Sequence, residues 1–282
     1  MLPFWLSIGL LSAFQGALVA LPSPLRERRL LRLRSGRWAL IPPLSVIAFV
    51  FLTRAAEASC ADGLTYLALL AVPALAALAL GVLARGARPR AALAVLPLFA
   101  LAWADRGHLA GQAAAVSLTG LSCVSLGVLL ADVTPPRWLG AGILAMSLAD
   151  TALVISDLLQ RPNNALNAAH PAAGLPQLQS GAFGSAVMGY GDMFIAAAFG
   201  GLVASELGRS AQLRAALLVG VLAMLFDLLF FAVDELPATV PVAIALVLIA
   251  LTRRRREGAR APRGKPASAA ARARPLRHPL SP

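Results

Sequence analysis

Residues 110–131 read AGQAAAVSLTGLSCVSLGVLLA, a run without one charged side chain. In a helix it would reach about 33 Å, enough to cross the roughly 30 Å hydrocarbon core of a bilayer. Outward from it the same pattern recurs in both directions. Further apolar runs lie at 2–21, 39–53, 63–84, 91–104, 138–158, 182–206, 214–233 and 236–252, those at 39–53 and 91–104 being short. The fold expected is therefore all-α, a polytopic membrane protein of about nine transmembrane helices.

Composition leads to the same class. Of 282 residues 59% are hydrophobic and only 13% charged, with a mean hydropathy of +0.75. A soluble domain of this size could not cover that much apolar surface. The net charge of +12 resembles a nucleic-acid signal, but its placement argues against that partner. The cations are nearly all arginine, with Lys265 the one lysine, and they gather in short loops and in the C-terminal tail. Abundant Ala, Leu, Pro and Gly with arginine points to a GC-rich bacterial genome, hence a bacterial plasma membrane.

Loop arginines also predict topology, because basic loops stay cytoplasmic. The first loop carries Arg26, Arg28, Arg29, Arg32, Arg34 and Arg37. The third carries Arg85, Arg88 and Arg90, the fifth Arg137, the seventh Arg209 and Arg214, and the tail Arg253 to Arg256. The intervening loops are poorer: Arg54 with Glu57 and Asp62, Arg106 with Asp105, Arg161 alone, then Asp234 and Glu235. No positive charge precedes the first apolar run, unlike a signal peptide, so that run is read as a retained span. The predicted orientation is N-terminus outside and C-terminus inside.

Three regions follow: helices one to five over 1–137, helices six to nine over 138–252, and a basic tail over 253–282 expected to be disordered. The tail would act as a topology anchor beside anionic lipid. Residues 159–181, rich in Pro, Asn and Gln, form the longest external connection and suit the membrane surface. Cys60 and Cys123, and His108, His170 and His278, are scattered and make neither a disulfide framework nor a metal site. No cofactor is expected.

Asp150, Asp192 and Asp227 fall inside apolar runs. A carboxylate at mid-bilayer costs at least about 2.5–3.5 kcal/mol on insertion scales, which makes each a functional candidate. Counted from the cytoplasmic ends of their runs they lie roughly 18, 21 and 20 Å deep, so they could meet at one level. Two carboxyls close together share a proton, the ionised one activating water and the protonated one acting as acid. Gly189-Tyr190-Gly191-Asp192 surrounds one of them with residues that permit local unwinding and close approach. At the start of the last run, Leu236-Pro237-Ala238-Thr239-Val240-Pro241 lacks two backbone donors and would leave carbonyls exposed to line a site or pair with an extended strand.

Together these elements resemble the presenilin and signal peptide peptidase family of intramembrane aspartyl proteases. The resemblance rests on Ala149-Asp150 in the sixth run, Gly189-Tyr190-Gly191-Asp192 in the seventh and Pro237-Ala238-Thr239 at the ninth. The spacings are similar to those of compact signal peptide peptidase members, and the N-out, C-in orientation matches that branch. It covers residues 138–252. Two positions depart from the family pattern: its tyrosine is Ala149 here and its leucine is Thr239. The resemblance implies that Asp150 and Asp192 are the catalytic pair. It places Gly189, Tyr190, Gly191, Pro237, Ala238 and Thr239 against substrate, which would be a transmembrane helix of another protein in the lipid bilayer, with no metal.

Two other readings stay open. Prepilin peptidases also use Gly-x-Gly-Asp, and residues 157–163 faintly resemble their first aspartate motif, pairing Asp157 with Asp192. Met193-Phe194 stands where that group carries Val-Lys. The other is a non-catalytic relative of the protease family or a proton-coupled transporter: intramembrane acids also serve proton or cation transport, and Asp227 would be a third acid at one depth.

Overall fold

A computed structural model describes residues 2–25, 30–233 and 236–260. Arg26, Arg28 and Arg29, Asp234 and Glu235, and the tail from 261 on, with Lys265 and His278, lie outside the described residues. The described residues are mostly helical. In order come α1 (Phe4–Ala20), α2 (Ile41–Ala55), α3 (Glu57–Leu78), α4 (Val95–Ala104), α5 (Leu109–Val133), α6 (Pro136–Ile155), α7 (Gln160–Ala168), α8 (Tyr190–Leu207), α9 (Arg209–Phe226) and α10 (Val240–Arg260). Short 3₁₀ segments extend α2 and α4 at their starts and α9 at its end, and a π turn over Ala79–Leu83 extends α3.

Every one of the nine apolar runs carries a helix, and α7 is an extra one within the connection between the sixth and seventh. Among the described residues, five helical segments are long and apolar enough to cross a membrane: Gly36–Ala55, Ser59–Leu83, Leu109–Val133, Pro136–Ile155 and Arg209–Phe231. Phe4–Ala20 and Pro89–Ala104 are shorter apolar helices. The chain is an all-α membrane protein by length and composition.

Small residues set the packing, as membrane interiors require when lipid is as apolar as leucine. A Cβ on Gly127 of α5 would come within 2.6 Å of the α8 backbone at Ala197 and Ala198. One on Gly200 of α8 would run into the α1 backbone at Val19, and one on Gly16 of α1 would stand 2.8 Å from the Ala216 carbonyl of α9. Helices α1, α5, α8 and α9 therefore pack backbone to backbone, with α3 and α4 against α5 and α2 against α6. These helices and the start of α10 form one compact unit, Met1–Val247.

Contacts between termini show how the helices alternate. Arg85 N donates to Leu21 O, Ser23 N to Leu83 O and Ser35 N to Val133 O. Arg209 Nη1 reaches Ala20 O, and Gly36 lies on the Trp138 ring. One end of the unit thus gathers Arg37, Arg85, Arg137 and Arg209. At the other end Trp5 of α1 stacks on Phe231 beyond α9, with centroids 4.5 Å apart. There Ala172 N donates to the Tyr66 hydroxyl of α3, and Trp103 Nε1 of α4 to Ala173 O.

Two boundaries differ from the sequence reading. The run 182–206 does not begin as helix. Residues Ser180–Phe183 and Ala186–Gly189 form an antiparallel hairpin, β1 and β2, with Phe183 opposite Ala186. Gly184 turns the corner at φ +63°, a left-handed conformation that favours glycine. The turn is pinned where Gly184 N donates to Gln112 Oε1 and Ser185 N to Ser7 Oγ. Hydropathy cannot distinguish a buried hairpin from a helix, although Gly-Ser between two short apolar stretches is a hairpin signal. At the other end of the chain, helix continues through the arginines to Arg260 rather than stopping at Thr252. Arginine, alanine and glutamate are good helix formers, and cations near a helix C-terminus are favoured.

Candidate active site

Three segments meet at the site. Asp150 is near the C-terminal end of α6 and is buried. Asp192 is in the first turn of α8, straight after β2, and is partly buried. Because α6 and α8 run in opposite directions, both carboxyls lie toward the end away from the arginine-rich loops. They are within electrostatic range of each other. The third segment is the turn before α10, where Thr239 is fully buried and its Oγ1 donates to Asp150 Oδ2 at 2.7 Å.

The hairpin explains how Asp192 is held. Its Oδ2 accepts from the Gly189 amide at 3.2 Å, which closes the first turn of α8. A Cβ at Gly189 would stand 2.9 Å from that same oxygen, so the glycine keeps the space the carboxyl occupies. Gly191 is different: a Cβ there would touch only the Met146 methyl of α6, at 3.4 Å. Tyr190 is held against α5. Its hydroxyl shares a hydrogen bond with Ser122 of α5 at 2.9 Å, and its ring packs on the apolar cluster around Leu118 and Leu178.

The Pro237-Ala238-Thr239 segment does not present free carbonyls. Pro237 O accepts from Val240 N and Thr239 O from Ala243 N, each at 3.1 Å. Ala238 O accepts from Gln15 Nε2 at 2.7 Å. What the segment contributes to the site is the Thr239 hydroxyl, at the position where the family resemblance has leucine.

The other two acids stand apart. Asp227 ends α9, and its Oδ2 accepts from Ser12 Oγ of α1 at 2.6 Å. Asp157 is exposed beyond the end of α6, in a left-handed conformation with φ +53°. The carboxyl neighbouring Asp192 is that of Asp150. Among the described residues no group of three His, Cys, Asp or Glu is gathered as a metal ion would need.

No protein-family model, curated protein or solved structure matches the chain. The site is therefore read from its own geometry. Two carboxyls and a hydroxyl inside an apolar helix bundle can hold water and exchange a proton. Sequence reading missed Gln15, Ser12 and Gln112, although each is a polar side chain in an apolar run. Burying such a residue is unfavourable unless it is bonded, which is the signal that could have found them.

Proposed function

We propose that the protein is an intramembrane aspartyl protease of the presenilin and signal peptide peptidase type, with Asp150 and Asp192 as its acid–base pair. The observation carrying this reading is that three distant segments come together: the Thr239 hydroxyl bonds Asp150 of α6, and α6 packs on the start of α8 that carries Asp192, with Gly191 facing the Met146 methyl. Each segment is one that the family resemblance singled out. The chain would cross the bilayer nine times, with its N-terminus outside and its arginine-rich end in the cytoplasm. The exposed tryptophans support a bundle that spans the bilayer from face to face. Trp5 and Trp103 lie toward one end of the unit and Trp38 and Trp138 toward the other, as two interfacial belts would.

In this reading the ionised aspartate takes a proton from water as its oxygen adds to a peptide carbonyl in a substrate transmembrane helix. The protonated aspartate gives its proton to the developing oxyanion. When the carbon–nitrogen bond breaks, the leaving nitrogen takes a proton from one aspartate while the other takes one from a hydroxyl of the gem-diol, which frees the new carboxyl group and restores the singly protonated pair. A helix hides its carbonyls in its own bonds, so the substrate must unwind first. The hairpin beside Asp192 offers backbone for an extended strand to pair with.

The test is purified protein in detergent with a fluorogenic helical substrate. Asp150→Asn and Asp192→Asn each abolish cleavage, while Asp157→Asn retains it. Cleavage that survives both substitutions at 150 and 192 rejects the mechanism. The Asp227–Ser12 pair favours a second reading, proton or cation transport, in which Asp227→Asn abolishes ion-coupled uptake into liposomes and no peptide is cut.

A further inference from the structure

Helix α1 enters the sequence reading only as an apolar anchor, yet it carries a glutamine at 0% exposure, Gln15. A buried amide is costly unless bonded, and here only half of it is: Nε2 donates to Ala238 O at 2.7 Å while Oε1 has no partner. Methionine would fill the same space without that cost. What the amide alone supplies is the bond to Ala238.

Ala238 needs that donor. As α10 begins, Ala238 O takes neither helical partner: position 241, three residues on, is proline without an N–H, and the Val242 amide four residues on makes no bond to it. Its neighbours find partners in the chain itself, Pro237 with Val240 and Thr239 with Ala243. Gln15 closes the gap from another helix, across 223 positions of sequence.

The consequence reaches Asp150. The peptide unit joining Ala238 to Thr239 is planar, so holding its oxygen orients the plane and the Thr239 Cα that follows. From that Cα the hydroxyl meets Asp150 Oδ2 at 2.7 Å. Gln15 is itself well anchored. The next residue, Gly16, packs against Ala216 and Gly220 of α9, and Ser12, one turn earlier, bonds Asp227.

We propose that Gln15 is a positioning residue for the Asp150 carboxyl, acting through the Ala238–Thr239 peptide and the Thr239 hydroxyl. The proposal deepens the proteolytic reading and rests on it for its kinetic consequence. Its structural content is separate and has its own readout.

The experiment uses the full chain and four proteins: wild type, Gln15→Met, Thr239→Val and the double variant. Infrared spectra report the carboxyl band of residue 150, assigned by its loss in Asp150→Asn. The expected result is that Thr239→Val moves this band, Gln15→Met moves it too, and Gln15→Met moves it no further once Thr239 is valine. In cleavage assays kcat falls at least tenfold in Gln15→Met with KM within about twofold, and the two substitutions together cost no more than Thr239→Val alone. A band unmoved by Gln15→Met, or losses that multiply in the double variant, overturns the proposal. A wild-type chain that cuts nothing sinks the proteolytic reading, while the infrared result still decides for or against Gln15. Should Gln15→Met not accumulate, Gln15→Asn keeps the amide but shortens its reach and is judged by the same band.

Discussion

The Thr239 hydroxyl donates to Asp150 Oδ2 at 2.7 Å, joining the turn before α10 to α6 across 89 positions of sequence. The bond gives the turn a definite task. It also accounts for a threonine at a position where the family pattern has leucine, since leucine has no donor to offer a carboxyl. A hydrogen bond to a charged group is worth about 1.5–3 kcal/mol. Thr239→Val, nearly the same shape, should lower kcat by roughly ten- to hundredfold, whereas Thr239→Ser keeps the hydroxyl and retains most activity. Equal losses in the two variants would show that the hydroxyl is not what matters.

The two glycines before Asp192 should separate cleanly. Gly189→Ala places a methyl group 2.9 Å from the Asp192 carboxylate oxygen and must displace it. Gly191→Ala meets only the flexible end of Met146. The expected outcome in a cleavage assay is a loss at 189 exceeding that at 191 by tenfold or more, with both proteins folding. The reverse order would mean that the hairpin does not hold Asp192 as described.

Helix packing makes a prediction about stability rather than chemistry. Gly127 of α5 faces the α8 backbone with no room for a Cβ. Gly127→Val overpacks this crossing and should cost about 1–3 kcal/mol or more, read as a lower midpoint of thermal unfolding in detergent. Gly63→Val is the control, because nothing lies within 4 Å of a Cβ there. If both variants melt like wild type, α5 and α8 are not in this contact.

Topology is open to a direct measurement. Reporter fusions in the loop at 85–90 should read cytoplasmic, and fusions at 170–175 external. Matching signals from the two loops would remove the nine-span arrangement, because α4, α5 and α6 separate them.

Much of the chain is legible in its amino-acid sequence alone. The helical class, the placement of nine apolar helices and the candidacy of Asp150, Asp192 and Asp227 all follow from local facts; it is the family resemblance that narrows the three acids to Asp150 and Asp192. A run that crosses a bilayer must bond its own backbone, and a carboxyl inside such a run is costly. Both can be judged from the residues within a few turns. Alternation of loop arginines is likewise countable along the chain.

Three features needed the folded molecule. Hydropathy makes residues 182–189 the start of a helix, where Gly184 instead makes a hairpin turn because Gln112 and Ser7 from other helices hold the backbone amides of Gly184 and Ser185. The family resemblance sets Tyr190 against substrate, yet Ser122 draws its hydroxyl toward α5. The prolines around Ala238 and Thr239 imply free carbonyls, and one of these is held by Gln15, 223 positions away. Composition and periodicity describe what each segment buries. The hydrogen-bond partner of a buried polar group depends on which other helix arrives beside it, and only tertiary structure decides that.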